Sequence, residues 1–137
     1  MTTVLHLVGP GGAGKTSVGP ILAERLGWEF ADLDEHFMSR EGSIAACIDA
    51  YGYADYSRRN IAVYRKVRRS FASSTVLALS SGFMTYPEDV DPEYKTLRCA
   101  IEVDALTSLL LPSFELETCV QIIVQRQLSR PYLPGNR

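Results

Sequence analysis

The sequence is poor in the residues that build metal clusters and disulfide frameworks. Its 137 residues include three cysteines and two histidines. Cys47, Cys99 and Cys119 follow neither a metal-ligand spacing nor a short paired one, so they are expected as buried thiols in a reducing compartment. His6 and His36 lie too far apart to suggest a zinc site, and His6 falls inside a strand pattern as a core or edge residue. Long apolar runs are missing too. The longest, such as "SLLLP" at 108–112, fall far short of the ~20 residues that cross a bilayer. No cationic segment precedes "VLHLV" at 4–8, itself too brief for a signal-peptide core, so a cytoplasmic protein with no membrane partner is expected. Charge of one sign is also lacking: a formal net charge of −2 gives no basic surface for nucleic acid.

What is present suits one compact α/β domain over residues 1–137, with 46% hydrophobic and 22% charged residues. Residues 4–8 read as a buried strand stopped by Gly9 and Pro10. Residues 16–27 read as a helix with Val18, Ile21, Leu22 and Leu26 on one side, Pro20 in its early part and Gly27 as its stop. "WEFADLD" at 28–34 reads as a second strand ending in carboxylates. Short helices near 35–39 and 43–50 follow, then a longer one over 54–73 carrying Ile61, Tyr64, Val67 and Phe71. "TVLALS" at 75–80 predicts a third strand, "RCAIEV" at 98–103 a fourth, and 115–128 a last helix. Strands separated by helices imply βαβ units and a parallel sheet.

Between the first strand and first helix stands "GPGGAGKTS" at 9–17. Gly9, Gly14, Lys15 and Thr16 satisfy the phosphate-loop pattern G-x-x-x-x-G-K-[ST]. Glycines let consecutive N–H groups turn inward as a nest for a polyphosphate, and the following helix adds its positive end. Lys15 can reach the β- and γ-phosphates, and the Thr16 hydroxyl can ligate Mg²⁺. From average residue frequencies, a chance match in a chain of this length has a probability of about half a percent. The placement between strand and helix is the context the motif requires. ATP is therefore the expected nucleotide, held by Gly11, Gly12, Ala13, Gly14, Lys15, Thr16 and Ser17.

Asp32 and Asp34 are two residues apart at the end of an extended segment, which points both side chains to one face. In a parallel sheet the ligand crevice lies outside the carboxyl ends of the strands, so both carboxylates would face the γ-phosphate. One can hold a Mg²⁺-bound water while the other accepts a proton from an attacking hydroxyl. The plainer alternative is an acidic turn opening the next helix, with Asp34 as its N-cap.

"GPGGAGKT" followed by "FADLD" resembles the shikimate kinase family, whose phosphate loop is followed by a D-x-D ending strand two. The likeness extends through "REGSIAACIDAYGYADYSRRN" at 40–60, similar to the stretch that leads into the family's substrate-binding helix. It reappears at "RQLSRP" at 126–131, which looks like a lid carrying an Arg-Pro pair. The resemblance implies a P-loop kinase fold: a parallel sheet flanked by helices, with a mobile lid at about 115–137. It also implies a monomer that uses ATP and Mg²⁺ to phosphorylate shikimate or a similar small hydroxy acid. On that resemblance Thr16 and Asp32 manage the metal, and Asp34 binds and deprotonates the acceptor hydroxyl. Arg130 closes over the phosphates with Lys15, and Arg126 approaches the adenine.

The chain departs from the family pattern in three places. Where the family's substrate helix opens with Phe-Arg and a glutamate three residues later, this chain has "YSRRN", which puts Ser57 at the arginine position and Asn60 at the glutamate's. Arg58 or Arg59 would serve after a one-residue shift of about 100° around the helix, and Arg58 is taken as the contact to a substrate carboxylate. The glycine triplet after strand three is Ser80-Ser81-Gly82, so the pocket bounded by Ser81 and Gly82 is expected to be smaller or more polar. The sequence also stops inside the lid, before the family's fifth strand and C-terminal helix, and is expected to be a portion of a longer chain.

Six of the twelve residues at 58–69 are Arg or Lys, which reads as a solvated helix face rather than a nucleic-acid surface. Glu102 reads as a surface or capping residue. Two rivals to a shikimate-type kinase stand beside it: the same fold acting on gluconate or another sugar acid, and a non-catalytic ATP-binding module.

Overall fold

The computed structural model describes residues 2–111 together with 117, 118, 121, 122 and 125. Strands β1 (Val4–Val8), β2 (Glu29–Asp32), β3 (Thr75–Ala78) and β4 (Ser108–Leu109) form one sheet in the order β2-β3-β1-β4. Every pairing is parallel, with Val4 opposite Thr75 and Glu29 opposite Thr75 setting the register on either side of β3. The helices are α1 (Lys15–Leu26), α2 (Leu33–Glu41), α3 (Ile44–Tyr51), α4 (Tyr53–Ser70) and α5 (Tyr94–Val103). The α/β expectation therefore holds. Because β3 inserts between β1 and β2, the chain leaves the central strands in opposite directions, and a crevice opens at their carboxyl ends.

Period-two alternation divides the core into two layers. Leu5, Leu7 and Val76 face α1 and pack with Ala23, Trp28 and Phe30. Val4, Ala31, Leu77 and Leu79 face the opposite side, where Ile61, Tyr64 and Val67 of α4 meet Phe37, Phe83, Tyr86 and Tyr94. Tyr94 donates to the Phe83 carbonyl and accepts the Tyr86 N–H at 3.1 Å, so the aromatic cluster satisfies its polar tips internally.

Three expectations are corrected. "RCAIEV" is not a strand but the second half of α5. Its alternation is outweighed by Tyr94, Leu97 and Ile101, which recur at helical spacing and pack into the large core, while Arg98 and Glu102 pair one turn apart at 3.5 Å. The fourth strand is instead Ser108–Leu109, inside the short apolar run that follows. Second, the apolar stripe of α1 is not its buried face: Val18, Ile21 and Leu26 are exposed, and the helix packs through Gly19 and Ala23. A Cβ at Gly19 would overlap the Phe30 ring, so close approach to the sheet selects the small side of the helix over the more apolar one. Third, Cys47 is buried but Cys99 is exposed on α5. The basic face of α4 is solvated as expected, with Arg65 spanning to Asp91 by two bonds of 2.9 and 3.2 Å. Among the described residues no helix is long and apolar enough to cross a membrane.

Candidate active site

The phosphate-loop sequence makes the turn from β1 into α1, at the carboxyl end of a central strand. Gly12 and Gly14 take φ of 81° and 99°, a region that strains any residue with a Cβ. The Ala13 N–H donates to the Pro10 carbonyl at 3.2 Å, and the Gly14 carbonyl receives Val18 N–H at 2.9 Å to start the helix. The first-turn amides and the positive end of α1 thus open onto the loop. Lys15 is buried, and its Nζ donates to the carbonyls of Gly9 at 2.6 Å and Pro10 at 3.1 Å. Its ammonium arches back across the loop, which holds positive charge where a polyphosphate would lie.

Asp32 is the last residue of β2 and the N-cap of α2; its Oδ1 accepts the Asp34 N–H at 2.9 Å. The expectation of a single extended segment is corrected here. The helix begins at Leu33, so Asp34 sits in its first turn, and the strand-to-helix turn, not strand alternation, brings the two carboxylates to one edge. The capping role weighed for Asp34 falls to Asp32. Burial and the neighbouring Asp34 charge push the Asp32 carboxyl above the usual carboxylate range, against the N–H bonds from Asp34 and Glu35.

The two halves meet. Gly12, Gly14, Lys15, Thr16, Asp32, Asp34 and Ser81 line one solvent-open cleft with Ala78 and Leu79. Its side-chain oxygens are the hydroxyls of Thr16 and Ser81 and the carboxylates of Asp32 and Asp34, hard oxygens suited to Mg²⁺. Among the described residues no cluster of three acidic, histidine or cysteine side chains forms a metal cage.

The remaining expected residues distribute around this cleft. Gly11 and Ala13 are buried in the loop, and Ser17 is exposed on α1. Gly82 lies behind Ser81, where a Cβ would come within 2.5 Å of the Tyr53 hydroxyl; its missing side chain makes room for that phenol. Ser57 is fully buried and donates to the Tyr53 carbonyl at 2.8 Å, turned into the helix packing. Arg58 and Arg59 do not line the cleft. Arg58 is half exposed, 3.5 Å from Asp55, while Arg59 holds Asp55 at 2.6 Å and stacks over Tyr51. Arg126, Arg130 and the rest of the lid lie outside the described residues, save that 117, 118, 121, 122 and 125 are helical.

Sequence reasoning missed a buried polar chain behind Asp34. Ser80 donates to Asp34 Oδ1 at 2.5 Å, Asn60 Nδ2 donates to Ser80 Oγ at 2.9 Å, and the same nitrogen donates to the Tyr86 hydroxyl at 3.0 Å. Burial and the charge of Asp34 raise the Tyr56 phenol beside this chain, which keeps it neutral. A signal was available: Asn60 is polar on the stripe that carries Ile61 and Tyr64, and a buried amide requires a partner.

Comparison with known proteins gives this geometry a family. A profile of the family described as "Shikimate kinase" matches residues 11–98. Shikimate kinase 2 from Salmonella paratyphi B and from Salmonella heidelberg are each 36% identical over 85 residues, which is 61% of this chain and 45% of theirs. The chain thus spans about half the length of the curated relatives it matches. A shikimate kinase from Acinetobacter baumannii, solved in complex with shikimate, superposes with a TM-score of 0.73 at 27% identity, covering 98% of this chain and 66% of that one. The Aquifex aeolicus shikimate kinase, at 21% identity and a TM-score of 0.55 over 91% of this chain and 80% of its own, shares the fold. A parallel sheet, a phosphate loop and an aspartate pair at one cleft accompany a profile match across most of the chain: it belongs to the shikimate kinase family.

Proposed function

We propose that the protein transfers the γ-phosphate of ATP to a hydroxyl of shikimate or a similar small anionic polyol. The observation that carries this reading is the shared cleft: Lys15 and Asp34 open into one space rather than into separate regions. The loop amides, the α1 N-terminus and Lys15 bind and orient the triphosphate. Thr16 and Asp32 are the residues that would hold Mg²⁺, which when bound neutralises charge on the phosphate oxygens. Asp34 orients the acceptor hydroxyl and takes its proton at a carboxylate oxygen. Arg130 is assigned to close over the phosphates from the lid, and Arg126 to approach the base. Catalysis on this scheme is positioning plus preorganised charge.

A second acceptor class is gluconate or a related sugar acid. Ser57 stands buried where the family pattern carries an arginine, so the carboxylate of either acceptor must find another cation. Arg58, the arginine assigned to that role, lies outside the cleft lining and would have to leave its exposed contact with Asp55 to reach it. ADP release measured across cyclic and linear hydroxy acids identifies the acceptor. Asp34→Asn is expected to keep ATP affinity within about threefold while transfer falls about 10²- to 10⁴-fold, the usual contribution of a general base. Unchanged transfer in that variant would remove Asp34 from the reaction.

A further inference from the structure

The residue that stands on the buried side of Asp34 is a serine where the family pattern places a glycine. Ser80 is 7% exposed, and its backbone is fixed by the Phe83 N–H, which donates to the Ser80 carbonyl at 3.0 Å. Its hydroxyl has three polar neighbours: the Asn60 amide at 2.9 Å, Asp34 Oδ1 at 2.5 Å and the Tyr56 phenol. The direction of the proton follows from the chemistry of the partners: a carboxylate oxygen only accepts, so the Ser80 hydroxyl donates to Asp34 Oδ1. Oγ must then be the acceptor for Asn60, which turns the Asn60 N–H groups toward Ser80 and Tyr86. That orientation leaves Asn60 Oδ1 buried without a partner among the described residues.

We propose that Ser80, aimed by Asn60, is a positioning residue that locks the Asp34 carboxylate with Oδ1 occupied and the other oxygen presented to the acceptor. The inference rests on the kinase reading above and deepens it. A glycine at this place leaves a carboxylate to be oriented by solvent and substrate. Here a buried donor chain fixes its rotation before any ligand arrives, which removes an ordering cost from the reacting complex. Ser80 contributes nothing to the phosphate loop, so the effect belongs to turnover and not to nucleotide affinity.

The test pairs kinetics with a signal read without substrate. Ser80→Ala is expected to lower kcat about 10- to 100-fold while KM for ATP stays within about twofold, since displacing a reacting group by an ångström has effects of that size. In an Asp34→Asn background the same substitution should cost nothing further, because the group it positions is gone. In the substrate-free wild-type chain, the Ser80 hydroxyl proton should appear by NMR as a slowly exchanging downfield resonance that moves upfield in Asp34→Asn. Wild-type kcat in Ser80→Ala, an equal fold loss in both backgrounds, or a hydroxyl signal indifferent to Asp34→Asn overturns the proposal. A chain that shows the signal yet phosphorylates no hydroxy acid overturns the kinase reading and leaves the Ser80–Asp34 contact standing.

Discussion

His6 stands in β1 with Nε2 2.7 Å from the Tyr64 hydroxyl and its ring against the Tyr64 ring. Burial and the Arg68 charge lower its pKa to about 4, with Asp104 opposing. The unfolded chain binds this proton from about pH 6.5 downward, whereas the folded chain refuses it until about pH 4. The stabilisation is therefore complete above pH ~6.5 and is lost as pH falls toward 4, by about 3 kcal/mol. Urea denaturation at several pH values should show this slope in the wild type and lose it in His6→Gln; an identical slope in both would remove His6 as the cause. At this scale the sequence was a partial guide. Lys15, Thr16, Asp32 and Asp34 were legible because phosphate chemistry demands those residue types in that order. Ser80 and Asn60 stood out as departures from the family pattern, but their pairing behind Asp34 was not legible, since it is a contact between residues 20 apart in the chain.

At the scale of elements, the phosphate loop also serves the sheet. A Cβ at Gly9 would stand 2.5 Å from the Leu110 carbonyl oxygen, a backbone atom, and the neighbouring Leu110 N–H donates to the Val8 carbonyl at 2.8 Å. Gly9→Ala should push the β4 segment off β1 and destabilise the fold by about 1–3 kcal/mol, the usual range for an overpacked site. A lowered urea midpoint checks this, and an unchanged midpoint would show that β4 gives way freely. The misread elements share a physical cause. In α5 a window opening at Arg98 omits Tyr94, so the helical stripe was cut and a chance alternation remained. In α1 hydrophobicity marked the wider face, whereas close packing against the sheet, at Gly19 against Phe30 of β2, required the small residues Gly19 and Ala23. Strands β1 and β3 were legible because a doubly covered parallel strand must be apolar on both faces.

At the scale of the whole molecule, the nucleotide is expected to act as a clamp on the loop, β1 and α2 together. A ligand that binds only the folded chain adds about 2.7 kcal/mol at a hundredfold excess over its Kd, which for a domain of this size raises Tm by about 5–10 °C. MgATP should produce that rise in the wild type, and Lys15→Ala should abolish most of it; an equal rise in both would place the triphosphate elsewhere. The sequence by itself determined the α/β class and the phosphate loop, because both are written in local patterns: alternating or continuous apolar runs, and backbone conformations that only glycine accepts. Tertiary structure alone decided that β3 lies between β1 and β2, that the aspartate edge faces Lys15 across one cleft, and that a buried serine and asparagine stand behind Asp34. Those relations are set by which distant surfaces pack closest, and side-chain volume and hydrogen-bond satisfaction between remote segments leave no periodic trace in the chain.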